Sequence, residues 1–153
     1  MRIMGLDVGS VRIGIAVSDE TGTIARGLET LTRKSWERDL DALRNLIVSN
    51  DVQQIVVGNP LNLDGTVGSQ AESVRQFIER LQQVTDVEIE LWDERFSSLS
   101  AEKVLIEGGM QRHKRKKIID KVAAVIILQN FLDGRNSQGT SESLDDVGGE
   151  PGN

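Results

Sequence analysis

Four carboxylates occupy positions where an acid could do chemistry. Asp7 ends a short apolar run, Arg2-Ile-Met-Gly-Leu-Asp7, beside a glycine-containing turn. Asp93 and Glu94 end another run, in which Val87, Ile89 and Leu91 alternate. Asp120 comes just before the apolar stretch Val122-Ala-Ala-Val-Ile-Ile-Leu128, and helical spacing puts it on one face with Ala123, Ala124 and Ile127. A carboxylate on such a face is costly unless something pairs with it. Lys116 or Lys117 would serve as an ordinary helix ion pair; a metal ion is the sharper alternative. Three acids from separate elements, aimed at one end of a sheet, suit Mg²⁺, which takes oxygen ligands and keeps several waters. Two such ions can clamp the attacking and leaving oxygens of a phosphodiester. Each acid also has a plainer use: Asp7 and Asp93 as turn caps, Glu94 as a solvated partner of Arg95.

A second feature lies just ahead of Asp120. Arg112-His113-Lys114-Arg115-Lys116-Lys117 places five formal positive charges in six residues. Such a block is either a solvated loop or a clamp that presents a phosphate backbone to the acids. His113, the chain's one histidine, reads as a phosphate contact or as a residue without a role, in preference to a proton shuttle. Aromatic residues are 3% of the chain and Tyr is absent, so backbone and shape readout fit better than base stacking.

The elements that must position these groups follow from periodicity. The runs 2–7, 12–18 and 23–31 form an antiparallel meander, with Val8-Gly9-Ser10 as a hairpin turn in which Gly9 is free to take a positive φ. Strand alternation puts Asp7 on the face of Ile3 and Gly5, where the glycine leaves open space behind it. A helix begins at Ser35 as N-cap, and Trp36, Leu40, Leu43 and Ile47 form its apolar stripe. Ile55-Val56-Val57-Gly58 is a strand covered on both faces, stopped by Asn59-Pro60. Ser69-Gln-Ala-Glu72 is a capping box opening a helix with Ala71, Val74, Ile78 and Leu81 inward. A fifth strand ends at Asp93-Glu94; adjacent strand residues face opposite ways, so only one of these acids joins Asp7. A short helix is expected over 98–107, then a last helix over about 115–132 whose stretch from Val122 to Leu128 is apolar on every side and therefore expected to be buried. The fold class is α/β: a mixed five-stranded sheet, three antiparallel strands plus two parallel ones, flanked by helices.

Composition narrows the setting. The 153 residues fit one domain, expected over 1–133 and followed by a disordered acidic tail over 134–153. The formal charge is −6, and residues 133–153 hold five acids against one base, so the body is nearly neutral around its basic block. Without Cys there is no disulfide framework, no thiolate-held zinc and no thiol nucleophile. No run is long enough to span a membrane, and the N-terminus lacks a secretory pattern, so a cytoplasmic location with no membrane partner is expected.

Four motifs go beyond spacing. Gly5-Leu-Asp-Val-Gly9 with Arg12-Ile-Gly-Ile-Ala-Val-Ser-Asp19 resembles the first motif of the YqgF/RuvX family. Val56-Val-Gly-Asn-Pro-Leu-Asn-Leu-Asp-Gly-Thr66 with Ser69-Gln-Ala71 is similar to its second, and Asp93-Glu-Arg-Phe-Ser-Ser98 with Ala101-Glu102 to its third. Lys117-Ile-Ile-Asp-Lys-Val-Ala-Ala124 is similar to its fourth. The set covers residues 2 to 132 in order. The resemblance implies an RNase H-like fold and a bacterial nuclease that matures the 5′ end of precursor 16S ribosomal RNA. A Holliday junction resolvase is the alternative. Asp7, Glu94 and Asp120 match the family's catalytic, metal-holding acids, for Mg²⁺ or Mn²⁺, with Asp93 as a possible additional acid. Arg12, Asn59 and Arg95 join Arg112, His113, Lys114, Arg115, Lys116 and Lys117 as substrate-binding residues. Related RuvC-type resolvases carry an acid at the end of the fourth strand. Here that place is Gly58-Asn59-Pro60, so the third ligand must come from the Asp93-Glu94 pair.

Two other classes compete. Asp7-x-Gly9 with Gly14 also resembles the phosphate-binding turn of actin-like and sugar-kinase ATPases, which need a second lobe that 153 residues do not supply. A non-catalytic RNA-binding assembly factor would keep the basic block but not need all the acids. Nucleic acid is the expected partner, bound by a monomer or a homodimer.

Overall fold

The computed structural model describes residues 1–59, 68–93 and 118–135. Strands β1 (Arg2–Val8), β2 (Arg12–Ser18) and β3 (Ala25–Thr32) form the expected antiparallel meander. Helix α1 (Trp36–Ser49) leads to β4 (Val52–Asn59), helix α2 (Ser69–Leu81) leads to β5 (Glu88–Asp93), and helix α3 occupies residues 118–135. The sheet order is β3-β2-β1-β4-β5, with β4 parallel to β1 and β5 parallel to β4. A meander extended by two parallel strands is the RNase H-like arrangement, as expected. Among the described residues no helix is long and apolar enough to cross a membrane.

Alternation along β1 divides the core in two. Met4, Leu6 and Val8 join Leu40, Leu43, Ile47, Val74, Phe77 and Leu81 under α1 and α2. Ile3 faces the other way and joins Ala16, Val56, Ala124, Ile127 and Leu128 under α3. β4 is covered on both sides, and Ile55, Val56, Val57 and Gly58 are all buried. That double coverage is why this run reads as continuously apolar.

Ser35 caps α1, its hydroxyl accepting from the Arg38 backbone N–H at 3.2 Å. The α2 cap differs from expectation. Gly68 holds the cap position and Ser69 is already the first helical residue. The α2 stripe also includes Phe77, fully buried, while Ile78 is only partly so. In α3, Ala123, Ala124, Ile127 and Leu128 are buried whereas Val122, Val125 and Ile126 are half-buried. The helix is therefore not enclosed all round: it lies on one face of the sheet. It extends to residue 135, beyond the expected end at Leu132, and the expected division at residue 133 falls inside it. The remainder of the expected tail, the helix expected over 98–107 and the loop 61–66 lie outside the described residues.

Two turn readings resolve differently. Gly22 takes φ +70° in the β2–β3 turn, whereas Gly9 is not among the positive-φ glycines. Gly9 is needed for closeness instead: a Cβ there would lie 2.7 Å from the Arg12 carbonyl oxygen, while the Gly9 N–H donates to that same oxygen at 2.9 Å.

Candidate active site

Asp7 stands on the α3 face of β1, in line with Ile3 and Gly5, and is half-buried. Its partner across the β1–β2 ladder is Gly14. A Cβ on Gly14 would lie 1.9 Å from the Asp120 carbonyl oxygen, so only a glycine lets α3 descend to this point. The same holds at Gly5, where a Cβ would meet the Leu128 Cβ at 2.7 Å and the Ala124 carbonyl at 3.1 Å. The space expected behind Gly5 is thus occupied by α3. At Gly27 on β3 the Lys121 side chain fills the corresponding place. Three glycines on three strands, with Ala16 between them, form a trough that seats the helix. The trough brings Asp120 beside the strand pair that carries Asp7.

Arg12 completes this corner. It begins β2, two residues before Gly14 and on the same face, and its Nε donates to Asp120 Oδ2 at 2.8 Å. Both side chains are about three-quarters buried, at 23% and 25% exposure. The partner of Asp120 is therefore Arg12 from another element, distant in sequence. Lys116 and Lys117, the helix-pair candidates, lie outside the described residues.

The Asp93-Glu94 pair divides as alternation requires. Asp93 pairs with Asn59 across β4–β5, and the alternation Ile55, Val57, Asn59 belongs to the α1/α2 face. Asp93 and Asn59 therefore point away from Asp7's face, and Asp93 is exposed. Gly58, paired with Trp92, is the β4 residue on Asp7's face. Glu94, Arg95 and Arg112 to Lys117 lie outside the described residues. Among the described residues no three histidine or acidic side chains form a group that could hold a metal ion. The glycine gap lets the α3 backbone at Asp120 approach the strand pair that carries Asp7. Carboxylates such as Asp7 and Asp120 are the oxygen donors that Mg²⁺ or Mn²⁺ prefers.

Sequence reasoning missed Arg33 and Asp39. Arg33 Nη1 donates to the Gly9 carbonyl at 2.8 Å, two residues beyond Asp7. Its guanidinium lies over the rings of Trp36, 5.1 Å away, and Phe77, 5.6 Å away. Asp39 is 4% exposed, accepts from the Lys34 N–H at 3.0 Å and lies 4.0 Å from Arg33 Nε. Together they tie the turn after Asp7 to the start of α1. The available signal was an acid beside Leu40 on the apolar stripe of α1. A cavity of about 710 Å³ opens nearby, between Gly9-Ser10, residues 33–36 and α2, but neither Asp7 nor Asp120 lines it.

The sheet topology and the acids flanking its central strands define a chain of the RNase H-like class, and solved structures share that architecture. Thermus thermophilus RuvC in complex with a Holliday junction substrate superposes with TM-score 0.60 at 15% identity, covering 88% of this chain and 96% of that one. The fowlpox virus Holliday junction resolvase superposes with TM-score 0.54 at 14% identity, covering 88% and 99%. Residues 1–134 match the family model described as "RuvX: Holliday junction resolvase", and the chain belongs to this RuvX family. Relatives named "Putative pre-16S rRNA nuclease" include one from Halothermothrix orenii, 51% identical over 136 residues, covering 89% of this chain and 97% of the relative. Another, from Bacillus anthracis, is 45% identical over 137 residues, covering 88% and 100%.

Proposed function

We propose that this chain is a divalent-metal-dependent nuclease that trims the 5′ end of precursor 16S ribosomal RNA in the cytoplasm. The observation that carries this reading is the seating of the Asp120 backbone on Gly14, the ladder partner of Asp7, in a family whose relatives bear that nuclease name. Asp7, Asp120 and Glu94 would hold Mg²⁺ or Mn²⁺, which when bound supplies positive charge against the phosphate and activates a water. Asp7 is the central carboxylate, because it stands on the middle strand between β2 and β4. The placement of Asp93 on the opposite face favours Glu94 as the acid of that pair. Arg112 to Lys117, with His113 among them, hold the RNA backbone, and Arg95 adds a further cation. Asn59 and Asp93 stand on the α1/α2 face, which argues against a place beside Asp7 for either.

Junction cleavage is the second reading, favoured by the description of the family model. It makes a structural demand that RNA trimming does not: two symmetric cuts require a two-fold dimer.

Cleavage of a labelled 5′-extended 16S precursor RNA and a labelled four-way DNA junction, side by side with Mg²⁺ or Mn²⁺, tests both. The expected result is RNA cut, junction spared, and loss of about a hundredfold or more in rate on Asp7→Asn or chelation. Symmetric junction cleavage with RNA spared would move the assignment to recombination. Tight RNA binding without cleavage would leave an assembly factor. An active Asp7→Asn protein would overturn the metal site.

A further inference from the structure

We infer that Arg12 is the resident cation of the acidic corner: it neutralises Asp120 in the unliganded protein and must yield that carboxylate to an entering divalent cation. The inference rests on the assignment of Asp7 and Asp120 as metal-holding acids.

The geometry leaves Asp120 one described charge partner, and it comes from the strand next to Asp7. The bond runs from Nε to Oδ2 at 2.8 Å, between side chains that are mostly withdrawn from solvent. The Asp120 backbone rests on Gly14, whose ladder partner is Asp7. A cation shared by the two acids would therefore sit close to the guanidinium. Two positive charges at that range, partly screened from water, repel. The guanidinium cannot relieve this by losing its proton. Turning away relieves the repulsion, and a planar fork released on Asp7's face is suited to a phosphate oxygen of the substrate. Arg12 would then pass from an internal carboxylate to the nucleic acid as the metal arrives. Metal and substrate binding would be linked through one side chain.

An orienting role makes the opposite prediction. If Arg12 only held Asp120 in place, its removal would let the carboxylate swing and would weaken metal binding. The discriminating experiment titrates Mn²⁺ into the protein without nucleic acid, following the free-ion signal by electron paramagnetic resonance. Wild type, Arg12→Ala, Arg12→Lys and Asp120→Asn are compared. Competition predicts that Arg12→Ala binds Mn²⁺ about tenfold more tightly than wild type, the size expected for loss of one charge-assisted contact. Arg12→Lys, which keeps the charge, should stay near wild type, and it carries the comparison if the alanine variant does not fold. In that case an Arg12→Gln protein, similar in shape and uncharged, should show the tighter binding. Equal or weaker binding by the uncharged variants overturns the inference while leaving the metal site standing. If instead no protein shows Mn²⁺ binding that Asp120→Asn abolishes, the metal assignment itself has failed.

Discussion

The Asp120 carbonyl oxygen lies 1.9 Å from the place a Cβ on Gly14 would occupy, so the acid and the glycine are fitted to each other backbone to backbone. No side-chain rotation relieves such a contact, because both partners are main chain. Gly14→Ala is therefore expected to cost about 1–3 kcal/mol or more in stability. It should also suppress cleavage beyond what the lost stability explains, since α3 must rise and carry Asp120 with it. Denaturant unfolding alongside turnover at a temperature where the variant is fully folded checks this; normal activity in the folded variant would break the link.

The two acids at the end of β5 should part company. Asp93 lies on the α1/α2 face with Asn59, away from Asp7. Asp93→Ala is expected to leave the cleavage rate within about a factor of two, as exposed substitutions usually do. Glu94→Ala should abolish cleavage. The same labelled RNA reports both, and inactivation by Asp93→Ala alone would reverse the assignment.

Phe77 is fully buried, 5.9 Å from the Trp36 ring, in the layer that joins α2 to α1. Phe77→Ala should cost about 3–5 kcal/mol. Its effect on Mn²⁺ affinity in the folded protein should be small, because the acidic corner lies on the opposite face of the sheet. Urea unfolding and a Mn²⁺ titration separate the two effects.

Asp19 carries a pH signature. Hydrogen bonds from the Thr21 hydroxyl and from the Ile24 and Thr23 backbone N–H groups lower its pKa from 3.8 to about 2. A folded-state pKa below the unfolded one contributes stability that is fully present above the unfolded value and lost as pH falls through the folded value. Asp19→Ala should therefore lower the melting temperature at neutral pH, and its difference from wild type should shrink as pH falls from about 4 toward 2. A difference constant across that window would show that the turn is held by something other than the charged carboxylate.

The strands and helices were legible because their signals are local. The alternation of Ile13, Ile15 and Val17, the stripe from Trp36 to Ile47 and the Ser35 cap all appear where the periodicity puts them. Asp120 was also legible as an acid on a face with Ala123, Ala124 and Ile127. What lay beyond the sequence was what that face meets. Gly5 looked like empty space and Gly14 like part of a phosphate-binding turn, because a glycine does not announce which distant element will press on it. Arg12 is 108 residues from Asp120, and only strand order brings them together. The Gly68 cap was misplaced by one residue, since Ser69 and Glu72 satisfy the spacing of a capping box whether or not the helix starts there.

The glycine trough has a consequence for how accurately the site is assembled. Where α3 meets β2 at Gly14 through its main chain, the position of the Asp120 Cα follows the sheet directly, and the acid keeps only its own torsions to vary. Little orientational freedom remains to be surrendered when a ligand arrives. An acid mounted on a helix cushioned by large side chains would inherit every rotamer change beneath it. Here the error chain from sheet to carboxylate is as short as a polypeptide allows.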